Sequence, residues 1–209
     1  MCSRATRSFT ASGGATQLKE CERGPMQYPE QYRAEVLTAI QGLDLEGVSG
    51  AIDVFREARA HSRCIFVCGT GSNSAAAARL LCETVLRSSL NRSIRFRILA
   101  LADDLSGRGP TDIAGDRVFQ DQLKNAAERG DVVIGISPSG NSAAILRAFE
   151  YANRIGCRTV CITGRDGGKL ATMSNIVILV PASHAGSVED AHMIICHMIG
   201  YYFVNFDQA

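Results

Sequence analysis

The sequence predicts an α/β fold: a parallel sheet with helices on both faces. From Cys64 onward, short apolar runs alternate with segments of helical periodicity, the pattern of strands joined by helical crossovers. Two of those runs end in turns rich in Gly and Ser, where a strand passes into a helix. In open sheets of this kind, ligands gather at the carboxyl ends of the strands.

The elements follow in chain order. Residues 1–25 carry no clear periodicity and contain Gly13, Gly14, Gly24 and Pro25, so a flexible leader is expected there, with one domain over 26–209. Tyr32, Val36, Leu37, Ile40 and Leu43 fall at helical spacing, and Pro29 suits the first turn of that helix. A second helix places Val48, Ile52, Phe55 and Ala58 on one face. The expected strands are Cys64–Cys68, Phe96–Leu101, Val132–Ile136, Thr159–Thr163 and Ile176–Val180. The helices between them are expected over Asn73–Ser88, Gly115–Arg129 and Asn141–Ile155, with a short turn near Leu170 and a last helix from Gly186 to Phe203.

Composition narrows the function. Hydrophobic residues make up 46 % and charged residues 21 %, enough apolar material for a sizeable core. Twenty-two basic residues stand against twenty-one acidic ones, a net charge of +1 that argues against a nucleic-acid surface. No apolar stretch reaches the roughly 20 residues that span a bilayer, so no membrane partner is expected. None of the eight cysteines forms a C-x-x-C pair, and buried, reduced thiols in a cytoplasmic protein are expected.

Four features carry chemistry. Gly135-Ile136-Ser137-Pro138-Ser139-Gly140-Asn141-Ser142 follows an apolar strand and opens a helix, whose free N–H groups and dipole suit a phosphate. Helix capping would account for one serine; Ser137, Ser139 and Ser142 around one turn exceed that need. Val67-Cys68-Gly69-Thr70-Gly71-Ser72-Asn73-Ser74 has the same form but lacks both the third glycine of a dinucleotide fingerprint and the Lys of a P-loop. On the last helix, Glu189, His192, Cys196 and His197 fall within roughly 140° of one face, a set able to ligate a metal or move protons, or simply to sit hydrogen-bonded in a half-buried helix. Arg79 and Glu83 are spaced i,i+4, as an intrahelical ion pair or with Glu83 as a general base in the cleft.

These motifs, with Ile162-Thr163-Gly164-Arg165-Asp166-Gly167-Gly168-Lys169 and the ending Glu189-Asp190-Ala191-His192…His197, resemble the sugar isomerase (SIS) domain family, and within it the phosphoheptose isomerases. The resemblance covers most of the chain after Tyr32. It implies a three-layer sandwich around a five-stranded parallel sheet, and a homotetramer whose core holds the two N-terminal helices and whose active sites draw on more than one subunit. The implied reaction is the isomerisation of sedoheptulose 7-phosphate to a heptose 7-phosphate through an enediol. A non-catalytic phosphosugar-binding regulator, or an isomerase of another sugar phosphate, is the alternative.

Carried over by position, Ser137, Pro138, Ser139 and Ser142 match the phosphate turn, and Thr70, Gly71, Ser72 and Asn73 the substrate-contacting turn. Asp112 matches, across a gap, an acidic substrate contact. Glu83 and His197 match the catalytic glutamate and histidine. The family's zinc would keep at most Glu83, Glu189 and His197, because Arg79 stands where the bacterial enzymes place a histidine ligand and Glu189 where they place a glutamine. Arg79 cannot ligate a metal, since its guanidinium stays protonated. No cofactor is therefore certain from the sequence; the expectation is that Arg79 pairs with Glu83 or Glu189 and supplies the metal's positive charge.

Overall fold

The computed structural model describes residues 27–102 and 115–207. Two helices, α1 (Gln27–Gln41) and α2 (Leu45–Ala60), precede a sheet whose strands alternate with helices: β1 (Cys64–Gly69), α3 (Ser72–Ser88), β2 (Arg97–Ala100), α4 (Val118–Ala126), β3 (Val132–Ser137), α5 (Ala143–Ile155), β4 (Arg158–Gly164), α6 (Gly168–Thr172), β5 (Ile176–Val180) and α7 (Ala185–Asn205). All five strands are parallel and ordered β2-β1-β3-β4-β5. This is the expected α/β class, with every expected strand present.

The strand pleat sorts the apolar side chains into two cores. Ile65 and Val67 of β1 and Ile134 and Ile136 of β3 face α1, α2, α3 and α7. Phe66 and Cys68 of β1 and Val133 of β3 face α4, α5 and α6. Burial on both faces explains why these strands read as continuous apolar runs rather than alternating ones. A Cβ on Gly135 would lie 2.7 Å from both Ile145 and Phe149, so glycine there lets α5 seat against β3.

The apolar content of the strands gave their positions accurately, but two ends differ. The helix expected over 115–129 forms only from Val118 to Ala126. The helix expected from Asn141 begins at Ala143, because the Asn141 side chain instead bonds the Ser139 carbonyl at 2.9 Å and accepts from the Lys169 amide at 3.2 Å. Of the six described cysteines, five are buried, as expected for small apolar side chains. No helix among the described residues is long and apolar enough to cross a membrane. The expected leader over 1–25 lies outside the described residues.

Candidate functional site

The sheet changes direction between β1 and β3: the chain moves from β1 outward to β2, then returns to β3 and proceeds to β5 on the other side. The two turns singled out in the sequence follow these two neighbouring strands, whose ends pair Gly69 with Ile136. The Gly69–Ser74 turn and the Ser137–Ser142 turn therefore lie side by side at the switch point, where such sheets hold ligands.

A pocket of about 260 Å³ opens there. Thr70 contributes from the first turn, and Ser137, Pro138, Ser139 and Ser142 from the second. Arg165, from the β4–α6 turn, and Ala185 and Val188, from the start of α7, complete its wall. Neither α3 nor α5 has a side-chain cap at its first turn, so the hydroxyl of Ser142, which stands at the N-cap of α5, does not serve as one. Gly140 has a φ of 62°, and a Cβ there would lie 2.0 Å from the Gly167 carbonyl oxygen. Only glycine allows the serine turn to pack so closely on the β4–α6 turn, and the Leu170 amide donates to the Gly140 carbonyl at 2.9 Å across that contact. Uncapped N–H groups, serine hydroxyls with protons left to donate and a closely packed backbone form a cradle suited to a phosphoryl group.

The remaining expected residues lie along α3 and α7. The Asn73 amide donates to the Glu189 carboxylate, joining the first turns of the two helices. Eleven residues further on, a Cβ on Gly200 would lie 2.8 Å from Cγ2 of Thr84. Both contacts have the same sequence offset, 116 residues, so α3 and α7 run side by side in the same direction. That register sets Glu83 and His197 within about 3 Å of one another in height along the pair. Both are exposed, as is Arg79 one turn before Glu83. Along the helix axes His197 lies about 13 Å, and Glu83 about 16 Å, beyond the level of Val188 at the pocket.

Several expectations change. Arg79 makes no ion pair with Glu83 or Glu189 among the described residues, and Glu189 is held by Asn73 instead. The last-helix stripe does not converge: His192 and Cys196 are buried in the core, Glu189 is half-buried, and His197 faces outward. A 140° arc is wide enough to run from core to solvent. Burial lowers the His192 pKa to about 4, against a weak opposing influence of the nearby Thr163 backbone. Neither of its ring nitrogens makes a hydrogen bond of good geometry. Burial likewise raises the Cys196 thiol to about 12, which keeps it protonated and a poor ligand. No group of three or more His, Cys, Asp or Glu able to hold a metal occurs among the described residues. Asp112 lies outside the described residues, and Gly71 and Asn73 are not among the residues that line the pocket.

Two residues escaped the sequence reading. Arg165 lines the pocket, and its signal was a bulky cation between glycines in the Gly164–Gly168 turn. Tyr32 of α1 donates to Asp190 at 2.7 Å, which raises its own pKa to about 12 and ties α1 to the start of α7. Only long-range geometry reveals that contact.

A protein-family model described as SIS domain matches residues 27–164. The chain is 34 % identical over 167 residues to a phosphoheptose isomerase of Geobacter sp. (strain M21), covering 79 % of this chain and 86 % of that protein. It is 31 % identical over 195 residues to a phosphoheptose isomerase of Chlorobaculum tepidum, covering 90 % of each. The solved structure of a phosphoheptose isomerase from Neisseria gonorrhoeae superposes with a TM-score of 0.76 at 26 % identity, covering 85 % of this chain and 97 % of that one.

Proposed function

The chain belongs to the SIS domain family, among its phosphoheptose isomerases, and from that premise we propose that it interconverts sedoheptulose 7-phosphate and a heptose 7-phosphate. The observation that supports this reading most is the serine pocket at the β1/β3 switch point, with an acid/base pair level with one another further along α3 and α7.

In this reading Ser137, Ser139 and Ser142 hold the phosphoryl group, and the sugar extends past Thr70 toward α7. Glu83 takes a proton from the carbon beside the carbonyl, and the carbonyl oxygen gains one, giving an enediol. His197 acts on the second proton, so that the former carbonyl carbon ends with a hydrogen and its neighbour becomes the new carbonyl. Asn73 orients Glu189 at the head of the cleft through their hydrogen bond.

The donor set does not fit a zinc ion held within one chain. Arg79 occupies one position, Glu189 is bound to an amide, and His192 is enclosed in the core. Arg79, on the Glu83 stripe of α3, instead supplies a fixed positive charge near the developing enediolate.

Glu83 and His197 are exposed on a face that continues into the exposed apolar side chains Leu86, Leu90, Tyr201 and Val204. A catalytic pair needs a water-poor enclosure, and exposed apolar side chains beside it mark a surface to be covered. This supports a homotetramer in which neighbouring subunits close the cleft. Free, buried thiols support a cytoplasmic setting.

The test is NMR of the full chain with sedoheptulose 7-phosphate, with and without a chelator. New heptose 7-phosphate signals that persist after chelation are expected. Line broadening without conversion would instead favour a phosphosugar-binding regulator, and loss of conversion on chelation would refute the role given to Arg79.

A further inference from the structure

Among the described residues, Arg165 is the only charged side chain that lines the serine pocket. It also lines an adjoining, more open basin of about 630 Å³, shared with Ser139, Asn141, Asp166 and Ser183. The residue thus lines both the cradle and the basin beside it. Its guanidinium makes no ion pair among the described residues. The neighbouring Asp166 carboxylate accepts from the Gly168 amide at 3.1 Å and makes no ion pair with Arg165.

The backbone at Arg165 is unusual. Its φ is 58°, one of two positive values at non-glycine residues among the described ones. That conformation disfavours a bulky side chain, whereas glycine adopts it without strain. The turn is fixed from both sides: the Arg165 amide donates to the Ala182 carbonyl at 3.2 Å, and the Gly167 amide to the Gly164 carbonyl at 3.0 Å. Arg165 is an exposed cation in a strained conformation, with no ion pair among the described residues, and packing does not explain it.

We propose that Arg165 is a specificity-determining residue that reads the dianionic charge of the phosphoryl group, with the serine hydroxyls and helix N–H groups supplying the neutral donors. This rests on the reading of the serine pocket as the phosphate site. A phosphate monoester carries close to two negative charges near neutral pH. Hydroxyls alone would accept an uncharged polar group almost as readily; the guanidinium favours the anion and can bond it bidentately.

The test measures sedoheptulose 7-phosphate affinity by calorimetry, as a function of salt, for the full chain and for Arg165→Gln, Arg165→Lys, Arg165→Gly and Ser139→Ala. Arg165→Gln is expected to weaken binding about tenfold and to remove most of its salt dependence, with Arg165→Lys retaining part of both. Arg165→Gly is expected to melt at or above the wild-type temperature while losing the same affinity, which a structural role would not produce. If Arg165→Gln binds as tightly as wild type with the same salt slope while Ser139→Ala loses binding, Arg165 does not read the phosphate and the serine site stands. If wild type binds neither this ester nor inorganic phosphate, the serine site falls and Arg165 with it.

Discussion

Glu83, Ser139 and Glu189 each depend on a different kind of neighbour. Ser139 uses its hydroxyl oxygen to accept from the Asn141 amide at 3.2 Å, leaving the hydroxyl proton for a ligand. Ser139→Ala is expected to cost about 2 kcal/mol of phosphosugar binding, read as a KM raised about thirtyfold with kcat much less affected. Glu83→Gln keeps the shape and removes the base, so kcat should fall by about 10²–10⁴ while binding is retained; steady-state kinetics separates the two patterns. The serines were marked in the sequence by residue type and spacing, hydroxyls at a helix start, whereas the role given to Glu83 came from the family resemblance, since its spacing suited an intrahelical ion pair equally. Arg165 was not so marked, because its position over the pocket depends on the β4–α6 turn folding onto Gly140, a contact between segments distant in sequence. The inferred Arg79 ion pair failed for a related reason. Spacing permits an i,i+4 pair but does not decide whether the side chains meet, and exposed pairs gain little from doing so.

The central strands β1, β3 and β4 were legible almost to the residue because burial on both faces leaves uninterrupted apolar runs. Helix starts were less so, since Asn141 can open a helix or brace a turn, and here the neighbouring Lys169 amide draws its side chain into the turn. Two interfaces between elements carry predictions. Gly135→Ala would drive a methyl into Ile145 and Phe149, and is expected to cost about 1–3 kcal/mol in denaturant unfolding. Tyr32→Phe deletes the hydroxyl that joins α1 to Asp190 and leaves the ring against His184, so hydrogen exchange should accelerate in α1 and the first turns of α7 with little change in overall melting.

For the whole molecule, His192 makes stability depend on pH. Its pKa is about 4 when folded and near the ordinary 6.5 when unfolded. Between those values the unfolded chain binds more protons, so stability is fully present above about 6.5 and is lost as pH falls toward 4, by up to about 3 kcal/mol. His192→Asn should flatten that slope in denaturant titrations even though it lowers stability at neutral pH. The apolar surface beside the proposed pair was not legible in the sequence: the exposed Leu86, Tyr201 and Val204 look like ordinary helix positions until the structure sets them on the face that carries Glu83 and His197. The central claim, proton transfer by Glu83 on a bound phosphosugar, is tested most directly by following sedoheptulose 7-phosphate in D₂O by proton NMR with wild type and Glu83→Gln. Heptose 7-phosphate that carries solvent deuterium at the former carbonyl carbon with wild type, and almost none with Glu83→Gln, is the predicted result; conversion by Glu83→Gln at the wild-type rate would contradict it.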